Sequence, residues 1–517
     1  MSESIEIAGI EIPKADWEAT PASVRAVVKV LSERLAHIEE QLNQNSSNSS
    51  RPPSSDTLAK GKPKDSSQSD SAQDKRRSGS KDKRSRDPKQ GKGFGFYPVP
   101  DDDIHHHIPQ VCGHCGEVLS GVDPSPHRHQ VVDIPPLPLQ VEEHQLHQLT
   151  CECCGKATRA QLPSDIPRTH YGDRLVGLVG LLSSGEHRQS HRMVKSLLSI
   201  LFDLEVSRSS INRMRTQVRD ALRAPVEEAL SYVQSQPSLH SDETSFVQRN
   251  RDGANPNQRK GWLWVVAAPL VMFFCVSLSR SQVVAKELIG EAFSGIVHSD
   301  RYSAYSWLDV RQRQVCWAHL KRDLIKISER GGASKEMAEP LLARQRRLFR
   351  WWHRVRDGTL SREQFMDAVE HLRRGFKAEL EEASEFEASV TGESSPFAKS
   401  VRSLCEILKV EEALWTFVYT PGVEPTNNDA ERYLRSAVIW RGTSYGSQSK
   451  KGSEFVERIL TVTTSLKAQG RNSWDYLSEA TRANRLGLTA PSILPIPQLH
   501  PVDSPLALPD AQNLVTA

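Results

Sequence analysis

The sequence predicts a multidomain α+β protein, and three observations carry that prediction. The first is length: at roughly 100–200 residues per domain, 517 residues make two to four domains. The second is hydrophobic period, which is helical from Tyr171 to about residue 236, strand-like from Leu239, and helical again from Ser328. The third is a polar run, residues 45–98, that separates an N-terminal helix from the rest. The chain is 37% hydrophobic and 25% charged, enough apolar surface for sizeable cores. A net charge of +3 names no partner, so only local clusters of charge can. No run approaches the ~18 apolar residues of a membrane span. MSESIEIAGIEIPKADWE lacks the basic-then-apolar layout of a signal peptide, so a cytoplasmic protein with no membrane partner is expected.

Residues 16–44 read as a helix in which Val24, Val28, Leu31, Leu35, Ile38 and Leu42 recur in steps of four and three, the seam of a coiled coil. The seam serves equally to pair chains in a homo-oligomer, at least a dimer, or to pack on its own domain. In residues 45–98 Lys and Arg outnumber Asp by roughly two to one. With almost no apolar residues such a segment cannot offset its ordering entropy, and it reads as a disordered basic linker or a basic arm for phosphate backbones.

Residues 99–165 hold two Cys-x-x-Cys pairs, Cys112/Cys115 in VCGHCG and Cys151/Cys154 in CECCG. Two such pairs can close a tetrahedral shell around one structural zinc ion, and the glycines after Cys115 and Cys154 suit the tight turns required. Cys153 is a surplus thiol able to replace either member of the second pair; disulfides or free thiols are the other reading. HRHQVVDIPPLPLQVEEHQLHQLTC alternates in places like short strands, so a small zinc ribbon is expected.

Residues 170–236 turn helical. Leu175, Leu178, Leu181 and Leu182 mark one helix, Met193 to Leu201 a second, and DLEVSRSSINRMRTQV a turn followed by a third that Ser207 or Ser209 would cap. A helix pair with a short turn and a basic second helix is helix-turn-helix-like, with Arg208, Arg213 and Arg215 available to phosphates.

In residues 237–327, LHSDETSFVQ, GWLWVVAAP and VMFFCVSLS are strand-like runs, followed by a helix (SQVVAKELIGEAF) and a fourth strand (GIVHSD). This order suits an RNase H-like mixed sheet, in which the first and fourth strands are neighbours. Asp242 and Asp300 each end such a strand within His-Ser-Asp, so their carboxylates would meet at one place; a turn or cap role is the plain alternative for either alone. His240 and His298 share a strand side with their Asp and read as supporting groups or packed histidines. Residues 328–419 read as a helical insertion in this core. In it RQRRLFRWWHRVR mixes Arg with Trp351 and Trp352, suited to DNA contact by charge and stacking or to a basic-faced core helix.

The core resumes over residues 420–486 with PTNNDAERYLRSAVIW. Ala430, Tyr433, Leu434, Ala437 and Val438 form one apolar helix face with Glu431 on its border. Asn428-x-x-Glu431 has the form of a capping box, which would occupy that carboxylate. The competing reading is chemical. Two divalent ions about 3.5–4 Å apart stabilise the attacking and leaving oxygens at phosphorus, and magnesium takes hard oxygen ligands. Three converging carboxylates can hold them.

HSDETS, VHSDRYSAY, CWAHLKRDL and PTNNDAERYLRSAVIWR, in this order, resemble the IS66 family of insertion-sequence transposases. SSRPPSSD, the paired Cys motif and NSWDYL fit too, so the resemblance spans roughly residues 20–485. It implies an RNase H-like DDE transposase that cleaves the ends of its own element and joins the 3′ ends to target DNA. Asp242, Asp300 and Glu431 would be its triad, binding two Mg2+ (or Mn2+) ions, with Asp242 shared. Ser241, where Ala is commoner, and Cys153 depart from the family pattern without touching an acid. The implied partner is double-stranded DNA, with the participation of companion proteins of the element left open. A non-catalytic zinc-containing DNA-binding regulator and a nuclease without strand transfer are the rivals.

Lys321, Arg322, Arg432, Arg435, Arg441, Lys450 and Lys451 are further candidates for phosphate contact, the last three in an expected Gly/Ser-rich loop after the Glu431 helix. Residues 487–517 read as a Pro-rich, disordered tail.

Overall fold

The computed structural model describes residues 4–7, 10–43, 104–135 and 137–496, so the linker expected at 45–98 and the tail beyond 496 lie outside the described residues. The chain divides into two units, residues 59–141 and the remainder. In the smaller unit, Cys112–Gly116 closes a turn: the Cys112 N–H donates to Glu117 O (2.8 Å) and the Gly116 N–H to Cys112 O (2.9 Å). A single antiparallel bridge, Val111 to Val118, flanks it.

The larger unit begins with a hairpin, β1 (Ser4–Ile7) and β2 (Ile10–Pro13), followed by α1 (Lys14–Ala19) and α2 (Ala22–Asn43). On α2, Val24 and Leu31 of the expected seam are exposed. A second hairpin, β3 (Gln148–Thr150) and β4 (Ala157–Arg159), carries a turn built like the first. There the Cys151 N–H donates to Lys156 O (2.9 Å) and the Gly155 N–H to Cys151 O (2.8 Å).

Four helices follow, α3 (Asp173–Leu182), α4 (His191–Phe202), α5 (Arg208–Ala221) and α6 (Arg223–Gln234). Ser190 and Ser207 cap α4 and α5 by accepting the Met193 and Ser210 N–H groups, and Asp203 reverses the chain between them at φ 51°. Val194, Leu198, Ile211, Met214 and Val218 give these helices a buried face at helical spacing.

The centre of the unit is a five-stranded mixed sheet. β5 (Ser238–Phe246), β6 (Gly261–Ala267) and β7 (Met272–Ser277) form an antiparallel meander; α7 (Gln282–Ile289) then leads to β8 (Ile296–Ser299), parallel to β5, and β9 (Arg313–Val315), parallel to β8. The spatial order is β7-β6-β5-β8-β9. β6 lies next to the middle of the sheet, and GWLWVVA is buried along nearly its whole length because both faces are covered.

α8 (Trp317–Ser328), α9 (Gly332–Arg356), α10 (Arg362–Ser384), α11 (Pro396–Leu408) and α12 (Thr416–Tyr419) come next. They close a second apolar core in which Trp317 packs edge-on against Trp415 and Phe376, centroids 5.2 and 5.5 Å away. Trp352 belongs to this core, 6% exposed and edge-on to Phe417, and Trp351 is packed against it. Their indoles are therefore packing groups, so of the two readings of RQRRLFRWWHRVR the basic-faced core helix holds for the tryptophans and base stacking by them does not.

α13 (Asn428–Ser444), α14 (Lys450–Ala468) and α15 (Ser473–Leu486) return to the sheet. α14 seals the β7 edge. Glu457, Thr461 and Ser465, one per helical turn, accept the N–H groups of Val276, Phe274 and Met272, which would otherwise be open to another strand. The tail expectation needs correction for residues 487–496: Ile493 is fully buried, and Arg471 donates to the carbonyls of Ser492 and Leu494. An apolar anchor and captured carbonyls hold a Pro-rich segment that composition alone marks as loose.

Candidate active site

Two adjacent parallel strands deliver the first two acids. The register pairs His240 with His298, and Asp242 and Asp300 stand two residues further along each chain, hence on the same face. The imidazoles stack at 4.0 Å and 11°. Burial holds both histidines below the usual range, His298 down to about 3, so they pack as neutral rings. Asp242 Oδ1 accepts the Glu243 N–H (2.8 Å) and Asp300 Oδ1 the Tyr302 N–H (2.9 Å). Burial, followed by the charges of Glu243 and Asp300 and more weakly of Glu431, pushes the Asp242 carboxyl well above the usual carboxylate range. Crowded acids of this kind are what a bound cation relieves.

Glu431 arrives on α13, and its contacts exclude the capping box. The N-cap is Asn427, not Asn428, and its side chain makes no cap bond. Glu431 Oε1 instead accepts from Arg322 Nη2 (3.1 Å) and lies 3.4 Å from His319 Nε2. Burial and the Arg322 charge hold His319 below its usual range. The Asn427 amide is spent elsewhere. Its Nδ2 donates to Ser241 O (2.8 Å), its Oδ1 accepts from His240 Nδ1 (2.9 Å), and its backbone N–H donates to Cys316 Sγ (3.1 Å). Asn427 is fully buried and pins the start of the Glu431 helix to the strand that carries Asp242. Three polar residues in a row after Pro425 give no sign in the sequence of a contact 186 residues away.

Beneath Asp242, on the opposite strand face, lies a polar cluster that sequence reading missed. Glu243, 1% exposed at its side chain, accepts from Arg280 (2.6 and 2.7 Å) and from Tyr305 OH (2.7 Å); Ser241 Oγ lies 3.1 Å from the same hydroxyl. Arg280 in turn stacks on Tyr302 at 3.7 Å. Burial, then the Asp300 charge, raises Glu243. HSDET contains two acids, and only strand alternation separates the open one from the packed one.

The basic candidates divide. Arg208, Arg213, Lys321, Arg432, Arg435, Lys450 and Lys451 are exposed, Arg432 paired with Asp429 (2.7 Å). Arg215 is not available to phosphates: it stacks on Phe455 at 4.1 Å, touches His191, and is lowered to about 10 by burial. Its place on the inner stripe of α5, with Ile211 and Val218, is the reason. Arg322 is bound to Glu431, and Arg441 donates to Thr244 Oγ1 (2.7 Å) and Ser245 Oγ (2.8 Å). The expected basic loop is also shorter than supposed. α13 runs through Ser444, Lys450 and Lys451 begin α14, and Gly446 sits where a Cβ would fall 2.1 Å from Val247 O.

Among the described residues no three His, Cys, Asp or Glu side chains form a ready metal cage. In each Cys turn taken by itself, backbone N–H groups lower the first thiol, those of Cys115 and His114 for Cys112, those of Cys154 and Cys153 for Cys151. Such turns favour thiolates.

A family model described as "Transposase IS66 family" matches residues 170–455, and one for a family of unknown function matches residues 7–88. The chain is 24% identical over 423 residues to the uncharacterized protein y4qI of Sinorhizobium fredii, covering 77% of this chain and 75% of that protein. It is 23% identical over 412 residues to the uncharacterized protein y4hP of the same organism, covering 72% and 70%.

Proposed function

The chain belongs to the transposase IS66 family, and from that membership we propose that it is a DNA transposase whose catalytic carboxylates are Asp242, Asp300 and Glu431. The observation that carries the assignment is the parallel β5/β8 register, which sets two acids side by side on the face approached by the Glu431 helix. The sheet order, with an antiparallel meander followed by two parallel strands, supports an RNase H-like core.

Family membership implies divalent metal use, and the donor set fits. These are hard oxygens, and neighbouring acids destabilise the charge on Asp242. We assign Asp242, Asp300 and Glu431 to hold Mg2+ or Mn2+; two such ions neutralise charge on the attacking and leaving oxygens of a phosphodiester. The protein's own groups prepare the site. The Glu243 and Tyr302 N–H groups each fix one oxygen of an Asp, orienting the carboxylates. Arg322 holds Glu431 and supplies positive charge beside the phosphate position. In the first reaction water attacks phosphorus at an element end, the P–O3′ bond breaks, and a 3′-hydroxyl is freed. In the second that hydroxyl attacks a target phosphorus and displaces the target's own O3′.

Cys112, Cys115, Cys151 and Cys154 are proposed as structural zinc thiolates, on the like hydrogen bonding of the two turns. Metal analysis of the purified chain should return one zinc, lost on Cys112→Ser. For DNA recognition, the capped α4–α5 pair with exposed Arg208 and Arg213 is the helix-turn-helix candidate, and α2 the candidate for pairing protomers.

The test is end cleavage and strand transfer with magnesium by wild type, Asp242→Ala, Asp300→Ala and Glu431→Ala. All three variants should be inactive. Full activity in any one removes that residue from the triad, and cleavage without joining by wild type makes the protein a nuclease.

A further inference from the structure

We propose that the open groove between α8, α9 and the approach to α13 binds the sugar–phosphate backbone of a DNA strand leading to the acids. The proposal rests on the transposase reading above. The groove has a volume of about 560 Å³, and its walls carry Lys321 from α8 and Arg346, Arg350 and His353 from α9. The α9 residues are spaced i, i+4, i+7, which puts them in one row on one face. At 1.5 Å per residue the row is about 10 Å long, enough for two to three phosphates at 3.4 Å each along one strand of a duplex.

Several cations of the insertion outside the groove are held by internal partners, although Arg356 and Arg374, also outside it, are not. Arg344 pairs with Glu379 (3.2 Å), Arg373 with Glu411 (3.0 Å), Arg362 donates to Phe417 O (2.6 Å), and Arg354 to Thr359 O (3.2 Å). Among the described residues, the side chains of Lys321, Arg346, Arg350 and His353 have neither hydrogen bond nor ion pair. Gln345 makes the same point independently. It is 6% exposed, lines the groove, and its amide has no protein partner. Its amide atoms are not themselves buried, so they open onto the groove, where they can donate to a phosphate oxygen. The far wall is formed by Thr426 and Asn428, the latter three residues before Glu431, and Lys321 adjoins Arg322, which holds that glutamate. A backbone lying in the groove therefore ends at the catalytic helix.

The test separates binding from chemistry. In an Asp242→Ala background without magnesium, anisotropy titrations with labelled DNA of about 30 nucleotides, single-stranded and duplex, are run across a salt series. Lys321→Gln/Arg346→Gln/Arg350→Gln should flatten the log affinity against log salt line by about 2, since each lost phosphate contact removes about 0.7–0.9. Arg356→Gln/Arg374→Gln, both exposed and outside the groove, should leave the slope as it was. If the triple variant loses its native circular dichroism, Arg346→Gln and Arg350→Gln singly should each flatten the line by about 0.7. Parallel lines for groove variants and parent overturn the proposal. They leave the transposase reading intact, because that reading stands or falls on cleavage by the protein with Asp242 in place.

Discussion

Two helices present a glutamate to the central sheet, and the company each keeps is opposite. Glu431 on α13 is 27% exposed and meets Arg322 and His319 at the mouth of the β5/β8 pair. Glu457 on α14 forms no ion pair among the described residues; burial raises it to about 7 while it accepts the Val276 N–H at 2.9 Å. One carboxylate is reachable and set against cationic and imidazole side chains, the other closes a sheet edge. A helix glutamate beside a sheet is thus not evidence of chemistry until its neighbours are known.

The sharpest break of this comparison is to neutralise each in turn. Glu431→Gln should reduce end cleavage by at least about 10³-fold, as loss of a catalytic group does. Its effect on stability should stay within about 0.5 kcal/mol, because a partly exposed group is changed. Glu457→Gln should leave cleavage unchanged. Equal activity losses in the two variants, with folding intact, would erase the distinction.

Asn427 comes next in size. It ties α13 to β5 through Ser241 O and His240, and Asn427→Ala leaves these buried groups unpaired at a cost of about 1–3 kcal/mol each. If the tie positions Glu431, cleavage should also fall on the order of 10²-fold, the typical cost of a misplacement near 1 Å. Urea unfolding and cleavage measured on the same preparation decide: a stability loss with full activity would make Asn427 a packing residue only.

Much of this arrangement was legible in the chain, and the exceptions have causes. The strands β5 to β8, α7 and the Ser207 cap follow from local pattern, because period and capping are properties of a few adjacent residues. The meeting of Asp242 and Asp300 was inferred from topology, one level up. What failed depended on contacts distant in sequence. Arg215 faces Phe455, 240 positions on, and reads as a phosphate ligand until that ring is known. Glu243 and Asp242 differ only by which face of one strand they occupy. The Asn428-x-x-Glu431 spacing is a true capping signature, overridden because Asn427 is drawn to β5 and Glu431 to Arg322. Trp351 and Trp352 are core because a helix with basic residues on one side still needs an apolar stripe on the other.

The smallest effect expected is also the one that reads the second glutamate directly. Glu457 titrates near 7 in the fold against 4.5 when unfolded, so between these values the folded chain keeps a proton that the unfolded chain has lost. Its contribution is fully present below pH 4.5 and is lost as pH rises through 7, about 3 kcal/mol in all for a shift of this size. Glu457→Gln keeps an oxygen for the Val276 N–H and removes the titration. Wild type and variant should therefore have similar urea midpoints at pH 5 and diverge by pH 8, with the variant the more stable. Wild-type stability that runs parallel to the variant across that interval would show Glu457 already ionised in the fold. In that case Glu457 would close the sheet edge as a carboxylate, and the two glutamates would be told apart by their contacts alone.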